Sequence, residues 1–334
     1  MRIAVFGYYN TRNEGDARLQ QVITHMLGGQ HELVFLLHHW LPPISFLREF
    51  DWVLIGGGEL VQRHVGLWCN TRDWITASGV RVGVLGLGAK EADTQLAAEI
   101  RHILNAAQFF FVRDAVSKRL LSDDPRIQIA PDLSWGLPLP VSRIEPDSTR
   151  IAVNLGWCPA TNFKPESWLE VLKGRYDTEP MPFYFGGRSG VGDEQFLAQH
   201  YSRLPDRFTL DPMEKCWLTV ACRYHAITYA IQLRRPFVAI SYDDKVERLC
   251  EQAGLSEFCL KANESGKLDA VIERARRERA GIIQKMDAFA SAQEKSAALM
   301  RQTIVSTIEQ SQIPAIHPVR YRIRRLMNRL AAYA

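Results

Sequence analysis

Arg223 and His225 stand two residues apart in the stretch Thr219 to Val246, TVACRYHAITYAIQLRRPFVAISYDDKV, where a short apolar run ending at Cys222 gives way to a helix-like pattern. At such a strand-to-helix junction a guanidinium fork, a titratable imidazole and the N–H groups of a helix start can converge on one anion, a phosphate or a carboxylate. The same two residues also suit an exposed arginine and a capping histidine. Pro236 then leads into a second β-rich run, Phe237 to Ile240, followed by Ser241-Tyr242-Asp243-Asp244-Lys245.

Further candidates lie in the first half of the chain. The turn GYYNTRNEGDARL, Gly7 to Leu19, joins a strand to a helix and offers Asn13 and Asp16 as polar groups, with Asp16 also suited to the N-cap. It lacks GxGxxG, which disfavours a dinucleotide site. Gly56-Gly57-Gly58 permits close backbone approach of a ligand or of a neighbouring loop, and Glu59, Gln62 and His64 follow it. Arg113-Asp114 ends the run Phe109 to Val112; Asp114 suits a helix cap, and Arg113 either faces a site or pairs with its neighbour.

The elements that hold these residues read as α/β. Continuous apolar runs at Ile3 to Phe6, Leu33 to Leu37, Trp52 to Ile55, Val80 to Leu85 and Phe109 to Val112 alternate with helical periods, as strands buried on both faces of a parallel sheet do. A linker over 137–150 carries three prolines, and strand patterns restart at Ile151 to Leu155, Phe183 to Phe185, Phe208 to Leu210, Leu218 to Ala221 and Phe237 to Ile240. The expectation is two Rossmann-like α/β domains facing a cleft, over 1–136 and 151–310, the second ending in a helical region from about Ser265 to Gln310. The remaining segment, 311–334, is a basic amphipathic tail. Within it Arg320, Arg322, Arg324, Arg325 and Arg329 accompany Val319, Ile323, Leu326, Met327 and Leu330 at helical spacing. Such a tail could lie on an anionic membrane surface or pack back on the body.

Composition bounds the rest. With 334 residues, 46% of them apolar, the chain can bury sizeable cores, and a charge of +4 spread along its length is too mild for a nucleic-acid partner. Six cysteines with no CxxC pair indicate neither a zinc site nor a disulfide framework and suit a reducing cytoplasm. The sequence enters a strand pattern at once, without the apolar core of a signal peptide, and no run approaches the roughly 20 residues that span a bilayer.

Taken in order, GYYNTRNEGD, IGGGEL, FVRDAVSKRLL, PDLSW, ACRYHAITYA and FVAISYDDKV resemble the motif set of the polysaccharide pyruvyl transferase family over about residues 1 to 255. The resemblance implies a glycosyltransferase-B-like architecture. It further implies an enzyme that moves the enolpyruvyl unit of phosphoenolpyruvate onto a sugar of a surface glycan or its lipid-linked precursor, such as an undecaprenyl-linked oligosaccharide. By that likeness Arg223 and His225 grip the donor, Arg113 is a second anion contact, and Tyr242 and Lys245 belong to the donor motif. His64 matches a family histidine by spacing, and His64 or Asp16 serves as base, with Asn13 on the substrate side. Loops over 154–161 and 186–192 are expected to build the acceptor pocket. The resemblance calls for no cofactor and no metal, with phosphoenolpyruvate entering as a substrate. It places the chain in the cytoplasm or on the inner face of the cytoplasmic membrane. The alternatives are a sugar transferase of the same two-domain class with a nucleotide-sugar donor, and a non-catalytic glycan- or phosphate-binding protein.

Overall fold

A computed structural model describes residues 1–9, 11–37, 42–61, 78–90, 94–140, 146–158, 163–186 and 192–311, of which 94, 95 and 97 by backbone alone. The chain forms two compact units. The first takes Met1–Thr11, Asp16–Leu137 and the chain from Glu294; the second takes Arg12–Gly15 and Pro138–Gln293. Two residues of the first loop and the first two of the helix Glu14–Leu27 thus belong to the second unit.

In the first unit the strands β1 (Arg2–Gly7), β2 (Glu32–Leu37), β3 (Trp52–Val61), β4 (Arg81–Ala89), β5 (Ala107–Val112) and β6 (Ile127–Ile129) form one parallel sheet in the order β2-β1-β3-β4-β5-β6. Successive side chains of a strand point to opposite faces, and here both faces are covered. Ala4, Phe6, Val53 and Ile55 pack on one side with Ile100, Ile103 and Leu104 of the helix Thr94–Ala106. Ile3, Val5, Trp52 and Leu54 pack on the other with Leu19, Ile23 and Leu27 of the helix Glu14–Leu27. Met300, Ile304 and Ile308, spaced four apart late in the helix Arg279–Gln310, complete that second layer. Burial on both faces is why these strands read as unbroken apolar runs.

In the second unit β7 (Asp147–Asn154), β8 (Asp177–Pro180), β9 (Cys216–Ala221), β10 (Phe237–Ser241) and β11 (Cys259–Lys261) form a parallel sheet in the order β11-β10-β9-β7-β8. Two expected strands are not strands. Around Phe183 to Phe185 the backbone makes a single antiparallel bridge, Tyr184 to Asn13, and Phe208 to Leu210 is irregular. Their aromatic character has another cause: Phe183, Phe208 and Tyr229 form a ring cluster with centroids 4.6, 5.4 and 5.7 Å apart. The strand beside β7 is instead the polar DTEP of β8, an edge strand that carries no hydrophobic signal.

Both sheets reverse their order between the first strand and the third, at β1/β3 and at β7/β9. Ligands of open parallel sheets bind outside the carboxyl ends of the strands at such a reversal. The chain is therefore an α/β protein with two parallel sheets and a long C-terminal helix.

Candidate functional site

At the reversal of the second sheet, Asn154 ends β7 opposite Ala221, which ends β9. The chain leaving β9 is tied to that asparagine twice. Cys222 N donates to the Asn154 carbonyl at 3.0 Å, and Arg223 N donates to Asn154 Oδ1 at 3.1 Å. Arg223 keeps extended backbone angles (φ −86°, ψ 134°) and immediately precedes the helix Tyr224–Gln232, so the expected strand-to-helix junction is present. It forms here because CWLTVA is apolar and buried along its length, after which YHAITYAIQ repeats its apolar residues at helical spacing.

The Arg223 guanidinium meets Asp193, whose side chain is wholly buried. Nε and Nη2 donate to Asp193 Oδ1 at 2.9 and 2.6 Å, while Asp193 Oδ2 accepts from Asn154 Nδ2 at 2.9 Å and from Phe183 N at 3.0 Å. Nη1 donates to the Tyr242 hydroxyl at 3.2 Å. Burial works against the charge on Arg223, and the Asp193 carboxylate outweighs it, so the guanidinium pKa stands well above its ordinary value. Burial likewise raises the Tyr242 phenol against the opposing pull of Arg223, which keeps its proton in place. Cys222, next in sequence, has its thiol pushed up to about 12 by burial and offers no thiolate nucleophile near neutral pH.

His225 follows in the first turn of the helix Tyr224–Gln232, its ring 5.3 Å from that of Tyr224 at 88°. The imidazole lies against Gly15, where an added Cβ would come within 2.0 Å of Nδ1. The loop carrying Gly15 is fastened to this unit by several bonds. Phe185 N donates to Arg12 O at 2.9 Å, Glu14 N to Phe183 O at 2.7 Å, and the Tyr229 hydroxyl to Glu14 Oε1 at 3.1 Å. Asn13 pairs with Tyr184 and accepts Gly15 N–H on its side chain at 3.1 Å. Asn13 thus caps the helix Glu14–Leu27. Asp16, expected at the cap, sits inside the first turn because the helix starts two residues earlier. Lys245 lies 3.8 Å from Asp243, which caps the helix Asp244–Gln252 through Lys245 N–H.

At the carboxyl end of β5, two strands from the reversal of the first sheet, the chemistry differs. Arg113 leaves β5 with its side chain only 3% exposed. Nη2 bonds Glu59 Oε2 at 2.5 Å, Asp114 stands 3.7 Å from Nε, and Asp132 stands 3.9 Å from Nη1. The guanidinium lies over Gly88, where a Cβ would be 2.5 Å from Cζ. The expected anion contact at Arg113 is thus a buried cation held among three carboxyl groups, with Asp114 also capping the helix Ala115–Leu121 as anticipated. Asp16 borders the same region, its Oδ1 3.7 Å from where a Gly58 Cβ would sit. The Tyr9 hydroxyl donates to the Gly56 carbonyl, and its pKa is driven well up by burial and by Asp16 and Asp132.

The structure therefore gathers Arg223, Tyr242, His225 and Asn13 within the second unit, and Arg113 and Asp16 within the first. His64 and the tail over 317–334 lie outside the described residues. Asp193, Asn154 and Glu59 are additions. Asn154, counted with an acceptor loop, holds Arg223 instead, and its place at the end of an apolar run was a usable signal. Asp193 had none, because its side-chain partners, Arg223 and Asn154, are 30 and 39 residues away.

Two stacked-order parallel sheets of this kind define a glycosyltransferase-B-like α/β protein. A putative UDP-N-acetylglucosamine 2-epimerase from Listeria monocytogenes superposes with a TM-score of 0.57 at 13% identity, over 94% of this chain and 98% of that one. The UDP-GlcNAc 2-epimerase from Neisseria meningitidis bound to UDP-GlcNAc gives 0.55 at 12%, over 92% and 100%. At such identities the likeness is one of fold. No curated protein matches the chain in sequence. The family profile described as polysaccharide pyruvyl transferase matches residues 31–244, and the chain belongs to that family and is a transferase enzyme. Among the described residues no helix is long and apolar enough to cross a membrane.

Proposed function

We propose that this transferase moves the enolpyruvyl group of phosphoenolpyruvate onto two hydroxyls of one sugar, in a surface polysaccharide or its lipid-linked precursor, forming a pyruvate ketal and releasing phosphate. The observation that carries the reading is the Arg223 fork, fixed at the β7/β9 reversal with His225 in the first turn of the helix that follows. Oriented N–H donors beside a helix start suit a carboxylate-phosphate donor.

The donor's methylene carbon takes a proton, for which His225 is the acid, and C2 becomes oxocarbenium-like. One sugar hydroxyl adds to C2 and gives up its proton; the C2–O bond to phosphate breaks, and a second hydroxyl closes the ring. Of the two hydroxyl protons one balances that delivered to carbon and the other leaves on phosphate. Arg223 and the protonated Tyr242 phenol stabilise the departing phosphate by hydrogen bonds. Asp16 is the base for the hydroxyl, with His64 the other candidate. The first unit, rich in carboxyl groups around Arg113, takes the acceptor, whose hydroxyls can donate to them. Lys245 adds donor-side charge. The basic tail holds the enzyme at a lipid-linked acceptor on the inner membrane face.

Phosphate release and ketal formation from phosphoenolpyruvate with a panel of lipid-linked and aryl glycosides tests the reading, and Arg223→Ala or His225→Ala should lower turnover by orders of magnitude. Thermal stabilisation by nucleotide sugars and not by phosphoenolpyruvate would instead favour a sugar transferase. Binding without phosphate release from any acceptor would favour a non-catalytic protein.

A further inference from the structure

The geometry points to Asp193 as the positioning residue of the donor site, a role that rests on the pyruvyl-transfer reading above. Its carboxylate is divided between two pairs of donors: Oδ1 takes Arg223 Nε and Nη2, and Oδ2 takes Asn154 Nδ2 and Phe183 N. All four partners donate, and the side chain is fully buried. An asparagine of the same size has one acceptor oxygen and one NH2 group. Whichever way it turns, its NH2 faces two donors, so only an ionised carboxylate satisfies the set.

The frame behind the carboxylate is fixed as well. Asn154 Nδ2 also donates to the Met181 carbonyl at 3.1 Å, and Asn154 Oδ1 accepts Arg223 N–H, which leaves its amide a single orientation. Arg223 is thereby held at its backbone by Asn154 and at its guanidinium by Asp193, both anchored to the end of β7.

Two effects on the donor follow. The fork is aligned before any anion arrives, so binding need not order a long side chain. Asp193 also balances the charge of Arg223, so a phosphate is held by directional hydrogen bonds and not by an uncompensated unit charge, which lets the product leave. Neutralising the carboxylate at constant volume should therefore separate donor binding from turnover.

The test uses the full chain carrying Asp193→Asn. Phosphoenolpyruvate-dependent phosphate release should show kcat reduced by about 100-fold or more, as expected for a misaligned catalytic group. KM for phosphoenolpyruvate should be unchanged or lower, and inhibition by inorganic phosphate tighter. Because Asp193 acts through Arg223, the double variant D193N/R223A should be no slower than R223A alone. A readout independent of turnover is the arginine Nε–H region of the 15N–1H spectrum. Wild type should show a slowly exchanging signal, assigned by its loss in Arg223→Lys, that disappears in D193N. Should D193N fail to fold, Asp193→Glu keeps the charge but crowds Gly156, where even a Cβ would lie 2.2 Å from Asp193 Oδ1, and it should lose kcat with phosphate inhibition unchanged. Wild-type kcat in either variant overturns the inference. So does a D193N defect in which KM rises and phosphate binding is lost as in R223A, or equal protection of the Arg223 Nε–H in both proteins. A wild-type chain that releases no phosphate from phosphoenolpyruvate refutes the reaction instead, and the Nε–H comparison then decides the role of Asp193 by itself.

Discussion

Gly15→Ala tests the site at its tightest contact. Gly15 is the second residue of the helix Glu14–Leu27, a position where alanine is by itself the better helix former by up to about 1 kcal/mol. The added Cβ would lie 2.0 Å from His225 Nδ1, 2.6 Å from Cγ and 2.9 Å from Cε1, whereas ordinary contact begins at 3.4 Å. One partner must therefore move by about 1.4 Å. The side chain yields more readily than the loop, which is fastened by the Glu14, Phe185 and Tyr229 hydrogen bonds. A displacement on the order of 1 Å in a catalytic group costs about 100-fold in rate, or about 2.7 kcal/mol of transition-state stabilisation. In phosphate-release assays the variant should lose kcat by that factor while its melting temperature stays within a few degrees of wild type. Gly281→Ala is the control, since a Cβ there meets nothing within 4 Å, and it should leave activity unchanged. A Gly15→Ala enzyme with native stability and activity within threefold of wild type would refute the placement of His225 at the reacting centre.

Other outcomes follow from the same geometry. Arg113→Met leaves Glu59, Asp114 and Asp132 facing one another without their buried cation, and urea unfolding should register a loss of about 3–5 kcal/mol; Gly88→Ala should produce a related loss by displacing the guanidinium. Burial pushes the thiols of Cys216 and Cys222 up to about 12, so neither should react with a thiol-specific disulfide reagent at pH 8 until the protein unfolds. Burial also lowers the pKa of His31, helped by the nearby N-terminal amino group. The folded state therefore favours the neutral ring. Its contribution is complete above about pH 6.5 and is lost as pH falls from there through the lowered folded value, so His31→Gln should flatten the acid limb of the stability curve. Deleting residues from His317 onward should abolish binding to anionic vesicles while leaving turnover on a soluble glycoside intact, and unchanged vesicle binding would remove the tail from membrane attachment.

What could be read in advance depended on burial. Strands β1, β3, β4, β5, β9 and β10 and the second half of β7 are buried along most of their length, and that requirement writes itself as apolar runs; the edge strand β2 is as apolar though only partly buried. The edge strands β8 and β11, DTEP and CLK, are partly wet and carry no such mark, and β6 is three residues long. Phe183 and Phe208 misled for the opposite reason: they pack in one ring cluster and not in a sheet, Phe183 buried and Phe208 partly so. The Arg223 junction was legible because an apolar strand abuts an amphipathic helix. The identity of its partner was not, since Asp193 lies in a polar stretch whose neighbours in space are set by the whole β7–β9 arrangement. Arg113 shows the same division: its pairing with the adjacent Asp114 could be anticipated, but the shorter bond to Glu59 spans 54 residues.

The two ion-paired arginines sit in different electrostatic settings. Arg113 is 3% exposed and has three carboxyl groups within 4 Å, so its surroundings hold more acid than base and disfavour a second anion. Arg223 is 19% exposed and faces one carboxylate and one phenol that keeps its proton, so its surroundings are balanced and rich in N–H and O–H donors. On charge alone, an anion is better accommodated beside Arg223 than beside Arg113, whose carboxyl groups can instead accept from hydroxyls. The same residue type thus meets different surroundings at the ends of β5 and β9, because the acids placed around it differ in number.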